Sequence, residues 1–375
     1  GPGSSFHDPD PPALSLHRSP PPLLGAGPGG RGTRPGSRDC EFVMDVMDEH
    51  DEQFDAMGSR IRVMIGPPAD PGLDSAEEAG RRARRFIHEF DRSLSRFRPD
   101  SELTAFNEDL RTEVPASALL RKAVKAGLWA ADNTSGLVDP TLLDEIESAG
   151  YIESRAGLSG VPVEESLGVA PVRKLAHARP SQDWRGFTVD DDRGTISRPP
   201  GLRFDTGGTG KGLAADLVAE SLKGYSRFLV SCGGDMRIGG RDAADDPYDV
   251  LVEHPVSGRK PHSFRLGSGG VATSGINVRA WRRPDGTTAH HLLDPSTGQP
   301  CWSGLIGVTA LGETALHAET LAKAALLSGP EGARKVLSRH GGLIVHESRE
   351  VEVIGRVSIR FRIPHPTAPT RRAAA

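Results

Sequence analysis

The run Asp205-Thr-Gly-Gly-Thr-Gly-Lys-Gly212 leads directly into the apolar-periodic stretch Leu213-Ala-Ala-Asp-Leu-Val-Ala-Glu-Ser-Leu-Lys223. A glycine-rich loop that opens a helix is suited to holding an anion. Glycines let the backbone approach a phosphate closely, and the first helical turn offers unpaired N–H groups and the positive end of its dipole. Lys211 adds a point charge. Two familiar nucleotide loops fit poorly. A Walker A loop requires Gly, four residues, then Gly-Lys-Ser/Thr; here Asp205 stands five before Gly210, and Gly212 follows Lys211. Gly210-x-Gly212-x-x-Ala215 satisfies the dinucleotide fingerprint formally, but its approach, Arg203-Phe-Asp-Thr-Gly-Gly, is not an apolar buried strand. A purely structural loop-to-helix turn is the third account.

The elements that must position this loop are read from periodicity. Ser75 to Phe97 places Ala76, Ala79, Ala83, Phe86, Ile87, Phe90 and Leu94 at three- and four-residue spacings, which predicts a helix with an arginine-rich outer face. A second helix is expected over about Ala116 to Asn133, and others near 212–223, 314–328 and 331–339. Phe54 to Ile65 alternates around Met57-Gly58, as a first strand should, and Arg227–Val230, Asp249–Glu253, Ile306–Leu311 and Leu343–His346 read as short strands. Without regular strand–helix alternation this predicts an α+β fold rather than a doubly wound sheet. Residues 1–50, rich in Pro, Gly, Arg and Ser, are expected to be a disordered tail, 52–360 a single domain, and 361–375 a flexible tail.

Composition bounds the function. The chain has 375 residues, is 36% hydrophobic and carries net charge -4. That is enough for a substantial core and gives no global attraction to nucleic acid. No apolar run approaches the ~20 residues of a spanning helix. Cys40, Cys232 and Cys301 are too few and too widely spaced for a disulfide framework or a structural zinc site. Gly1-Pro-Gly-Ser4 resembles a protease cleavage remnant, and Cys40 follows Ser37-Arg-Asp rather than a lipobox. A cytoplasmic protein is the default expectation, with an extracytoplasmic one if a signal segment has been removed.

Further motifs occur in order along the chain: Met57-Gly58-Ser59, Ser95-Arg-Phe-Arg-Pro-Asp-Ser-Glu-Leu-Thr-Ala-Phe-Asn107, Gly136-Leu-Val-Asp-Pro-Thr141, Ser231-Cys-Gly-Gly-Asp235, Ala272-Thr-Ser-Gly275 and His291-Leu-Leu-Asp-Pro-Ser-Thr-Gly298. With the Gly-rich run they resemble the ApbE family of FAD:protein FMN transferases over most of residues 54–350. The resemblance implies a T-fold-type α+β domain with mixed sheets and flanking helices. It also implies attack on the FAD pyrophosphate by a Ser or Thr hydroxyl of a target flavoprotein, which leaves FMN in phosphoester linkage and releases AMP. The acceptor sequence it implies is of the type Asp-Gly-x-Ser/Thr-Gly-Ala-Ser/Thr.

On that resemblance His291 is the candidate base or acceptor-orienting group, with His290 beside it as a confounder, and Lys211 the charge on the pyrophosphate. Ser95, Phe97, Ser101 and Glu102 would lie against the flavin, with helix capping by Asp100 or Ser101 as the competing account. Asp205, Gly207, Gly208, Gly210, Gly212, Asp235, Thr273, Ser274 and Asp294 complete the candidate FAD contacts; turn capping competes at Thr273 and Ser274.

One motif departs from the family pattern, whose Ala-Asp-x-x-x-Thr helix ligates Mg²⁺ together with a carbonyl of the Gly-rich run. Here Ala318-Glu-Thr-Leu-Ala-Lys323 keeps a carboxylate at Glu319 and replaces the hydroxyl with Lys323. Gly210 and Glu319 are thus the candidate metal ligands. Lys323 is either half of an intrahelical ion pair worth ~0.3–0.5 kcal/mol or a cation standing at a metal position. Rival functions are an FAD pyrophosphatase and a flavin-binding protein without turnover.

Overall fold

The computed structural model describes residues 15–17, 49–155, 157–158 and 160–355. The expected C-terminal tail, Cys40 and nearly all of the expected disordered segment lie outside them. Within that segment Ser15–His17 pair antiparallel with Tyr248–Val252. This corrects the expectation for three residues: composition does not register a neighbouring strand edge whose free N–H and C=O groups template pairing.

One eight-stranded antiparallel sheet organises the protein. Its strands are β1 (His50–Ala56), β2 (Ser59–Ile65), β3 (Phe228–Cys232), β4 (Asp235–Gly239), β5 (Gly269–Gly275), β6 (Leu305–Gly312), β7 (Gly342–His346) and β8 (Val351–Ile354). They lie side by side in chain order. Apart from Ser15–His17, the other described elements are inserted between neighbours. Between β2 and β3 come α1 (Ala76–Leu94), α2 (Glu102–Glu108), α3 (Ala118–Asn133), α4 (Leu143–Ser148), α5 (Val163–Gly168) and α6 (Gly210–Glu220). Between β6 and β7 come α7 (Ala315–Leu327) and α8 (Gly329–Leu337). The mixture of one antiparallel sheet with grouped helices is the α+β class the sequence predicts.

Alternation along β3 explains why it is buried throughout and apolar at every position but Ser231. Phe228, Val230 and Cys232 join Ile61, Val63 and Ile65 in a core against α1, α3 and α6, whereas Leu229 joins Met64, Met236 and Ile238 in a second core on the other face. Both faces are covered, so no polar residue is needed at alternate positions. Each fully buried aliphatic side chain here contributes about 1.5–3 kcal/mol relative to exposure. The α1 helix begins where Ser75 Oγ accepts from Glu78 N, and its buried stripe Ala79, Ala83, Ile87, Phe90 and Leu94 belongs to the periodic set read from sequence, whose Ala76 and Phe86 are only partly buried.

The crossing of α6 and α7 holds the site together. Each helix caps the other. Asp216 of α6 accepts from Ala315 N and Leu316 N at the start of α7, both at 2.9 Å, and Glu319 of α7 accepts from Gly212 N at 2.8 Å in the first turn of α6. Carboxylates at both N-termini complement the helix dipoles. A Cβ on Gly212 would lie 2.7 Å from the backbone of Ala315 and Leu316, so only glycine permits this approach. Gly212→Ala is therefore expected to cost about 1–3 kcal/mol of stability through overpacking. Denaturant unfolding would read this as a lowered midpoint with an unchanged slope, and an unchanged midpoint would contradict it.

Candidate active site

The Gly-rich run is fixed from both sides before it reaches α6. Asn107 donates to Phe204 O and accepts from Phe204 N, each at 2.8 Å, and Asp205 N donates to Pro140 O at 2.9 Å. Gly207, Gly208, Gly210 and Lys211 then line a cavity of ≈ 420 Å³. Ser95 to Arg98 after α1, the segment around Leu137–Asp139, Ile146 of α4 and Tyr151 contribute other walls, while Arg279, His291 and Lys323 close it from the loop between β5 and β6 and from α7.

Charge is concentrated on one side. The Lys211 ammonium stands 2.8 Å from Asp235 Oδ2, and Asp235 Oδ1 accepts from Thr273 N at 3.3 Å. A Cβ on Gly233, whose φ is +62°, would meet Ser59 at 2.7 Å and Lys211 Cδ at 3.4 Å; glycine there leaves a path for the lysine stem. Burial disfavours the Lys211 charge, but Asp235 and Glu319 outweigh it and hold the pKa above the ordinary 10.5. Lys323 donates to Glu319 Oε1 at 2.9 Å.

His291 lines the cavity, and its Nδ1 finds no hydrogen-bond partner among the described residues. Burial, then the cations Arg279, Lys323 and Lys211 and the neighbouring His290, push its pKa well below 6.5. The imidazole is neutral at neutral pH and able to accept a proton. His290 points the other way. It is fully buried, packs edge-on against Trp302 with ring centroids 4.8 Å apart, and accepts from Leu292 N. Burial lowers its pKa to about 3. The unfolded chain protonates this imidazole below about pH 6.5 and the folded chain does not until about pH 3, so its contribution to stability is lost as pH falls across that window. Wild type is expected to lose about 2 kcal/mol more stability than His290→Gln between pH 7 and pH 5. Parallel denaturant titrations check this, and equal losses would refute it.

Arg96, Phe97 and Tyr151 form an arginine–aromatic wall of the cavity, backed by the buried Trp281. The Arg96 guanidinium lies 4.2 Å from the Phe97 ring centroid and 4.6 Å from that of Tyr151, and the Tyr151 ring is 5.4 Å from Trp281. Arg96 also donates to Tyr151 O at 2.8 Å and stands 3.6 Å from Asp205 Oδ1. Such a surface suits a planar heteroaromatic ring.

The candidate residues fall into three groups. Ser95, Phe97, Asp205, Gly207, Gly208, Gly210, Lys211 and His291 line the cavity. Gly212, Asp235 and Glu319 stand directly behind, bonded to each other or to Lys211 and Lys323. The remainder serve elsewhere. Ser101 caps α2 by accepting from Thr104 N at 3.0 Å, and Glu102 accepts from Ser117 N and Oγ at 2.7 and 2.6 Å, tying α2 to α3. Thr273 Oγ1 is 2.9 Å from Thr309 Oγ1, and Ser274 is buried in β5. Asp294 Oδ1 accepts from His177 N, Ser296 N and Ser296 Oγ, which shapes a turn. Three amides of the expected cradle are also committed, Thr209 N and Gly210 N to Thr206 O and Gly212 N to Glu319. Arg96, Tyr151 and Arg279 escaped sequence reading. Arg96 lies within the Ser95–Asn107 motif, but no local pattern marks Tyr151 or Arg279.

Cys232 and Cys301 are buried free thiols, and burial pushes the Cys301 thiol up to about 12, so neither is a nucleophile. No helix among the described residues is long and apolar enough to cross a membrane.

Comparison with known proteins identifies the family of the chain. The model of the ApbE family matches residues 57–345. An FAD:protein FMN transferase from Klebsiella pneumoniae is 30% identical over 284 residues, covering 73% of this chain and 78% of the relative. One from Escherichia coli K12 is 27% identical, with 72% and 77% covered. The crystal structure of an ApbE protein from Thermotoga maritima superposes with a TM-score of 0.65 at 25% identity, covering 82% of this chain and 97% of that one.

Proposed function

The chain belongs to the ApbE family, and on that premise we propose that it is an FAD:protein FMN transferase whose reaction is run by His291 and Lys211 in the cavity at the start of α6. The observation that carries the assignment of roles is the joint placement of a neutral histidine, a lysine and an arginine–aromatic wall around one cavity. FAD is the substrate. The wall takes a planar ring of FAD, and the pyrophosphate lies toward Lys211, Lys323 and Arg279. The hydroxyl oxygen of an acceptor Ser or Thr attacks the phosphorus on the riboflavin side. A P–O bond to the acceptor forms, the bond from that phosphorus to the bridging oxygen breaks, and AMP leaves with the bridging oxygen. His291 takes the hydroxyl proton and passes it to solvent. General-base assistance of this kind supplies about 10²–10⁴ in rate, and fixed positive charge on the phosphoryl oxygens supplies the rest of the electrostatic help.

The residues present do not suit the Mg²⁺ implied by the family resemblance. Both Glu319 oxygens are engaged, by Lys323 Nζ and Gly212 N, and both Asp235 oxygens face Lys211 Nζ and Thr273 N. Mg²⁺ requires near-octahedral oxygen ligation and is repelled by adjacent ammonium groups.

The reading is tested by measuring AMP release from FAD with and without a flavoprotein domain that carries the acceptor sequence. AMP formed only when acceptor hydroxyls are present, in equal amount to labelled acceptor, supports the transferase. AMP formed at the same rate without acceptor would make the protein an FAD pyrophosphatase, and FAD binding without AMP a non-catalytic flavin protein.

A further inference from the structure

Resting on the transferase reading, we propose that Lys323 is a catalytic residue: its ammonium, beside that of Lys211, supplies at the FAD pyrophosphate the positive charge a divalent cation would carry, and FMN transfer by this chain needs no divalent metal. Lys323 and Lys211 line the same cavity although they come from different helices. Their carboxylate partners are withdrawn behind them. Glu319 is 1% exposed and Asp235 2%, so the cavity meets the two ammonium groups rather than the carboxylates.

The pair Lys323–Glu319 has the i,i+4 spacing of an ordinary helix-surface pair, but its depth argues against an ordinary role. A surface pair adds little, and a buried one is commonly no better for stability than apolar side chains of the same size. Glu319 is needed where it is, because it accepts from Gly212 N and caps the first turn of α6. Compensating the buried Glu319 charge accounts for a cation beside it, but not for that cation lining the cavity together with Lys211. Apolar residues Ala322 and Leu326 flank Lys323 on α7 and are fully buried, so the helix does not lack packing there. Glu319 is accordingly a positioning residue. It fixes the Lys323 ammonium through Oε1 and the start of α6 through Oε2. In the transfer step the two ammonium groups neutralise the non-bridging oxygens of the pyrophosphate and the charge that develops on the departing AMP oxygen, with no change in the bonds made and broken.

The test uses the full chain freed of metal by chelation, with FAD and an acceptor flavoprotein domain. FMN transfer is followed in EDTA and across a Mg²⁺ titration, and Mn²⁺ binding to the FAD-loaded protein is measured directly by electron paramagnetic resonance. Wild type is expected to keep its rate within about twofold in EDTA and to show no saturable Mn²⁺ site. Lys323→Thr is expected to fall about 10²–10³-fold in EDTA, to gain a saturable Mn²⁺ site and to recover in part with Mg²⁺. A wild-type rate abolished by EDTA and restored by Mg²⁺ overturns the inference and leaves the transferase standing. Saturable Mn²⁺ binding by wild type overturns it whether or not transfer is seen. Absence of transfer under every condition, with FAD bound, instead refutes the transferase reading on which the inference rests.

Discussion

His291→Ala is expected to lower FMN transfer by about 10²–10⁴-fold while leaving FAD affinity within a few-fold and the unfolding midpoint nearly unchanged. The imidazole lines the cavity and its Nδ1 has no partner among the described residues, so truncation removes a proton acceptor and breaks no hydrogen bond of that atom. The pH profile gives a second readout. Burial and the surrounding cations hold the pKa well below 6.5, so the base stays unprotonated under mildly acidic conditions, and the wild-type rate should not show the fall near pH 6.5 of an exposed histidine. Single-turnover rates between pH 5 and 8 measure both points. A variant that transfers FMN at the wild-type rate would remove His291 from the mechanism.

Lys211→Met is expected to damage both folding and chemistry. It leaves Asp235, 2% exposed, without its ammonium partner at 2.8 Å. An uncompensated buried carboxylate costs about 3–5 kcal/mol. Transfer should also fall by about 10²–10³-fold, since a fixed charge aimed at the phosphoryl oxygens is lost. The two effects separate in the double variant Lys211→Met with Asp235→Asn. The asparagine removes the stranded charge and keeps an acceptor for Thr273 N, so stability returns while transfer stays low. Denaturant unfolding and turnover of the three proteins make the comparison. Recovery of transfer in the double variant would show that Lys211 serves only to neutralise Asp235.

Much of the fold was legible because its signals are local. Ser75 followed by the Ala79–Leu94 stripe specifies α1 with its cap, and the strand read over Arg227–Val230 is found at Phe228–Cys232, with both of its faces covered. The site was legible only where a residue's role is set by its immediate neighbours, as in the Gly-rich opening of α6. Ser101 and Glu102 show the limit. Hydroxyls and carboxylates that could serve a ligand serve equally well as helix caps, and the outcome depends on Thr104 and Ser117, whose positions the chain fixes only on folding. Lys323 shows another. Sequence spacing gives its pair with Glu319, but only packing reveals that the carboxylate is withdrawn to α6 while the ammonium lines the cavity. The wall of Arg96, Phe97 and Tyr151, backed by Trp281, joins segments far apart in the chain, and no local pattern could announce it.

The most direct measurement is intact-mass spectrometry of a flavoprotein domain bearing the acceptor sequence after incubation with this protein and FAD, beside His291→Ala and a domain whose acceptor hydroxyl is replaced by alanine. A covalent gain of a single FMN, less water, is expected with wild type and the intact acceptor only. An unmodified acceptor mass with wild type, under conditions where FAD is bound, would contradict it.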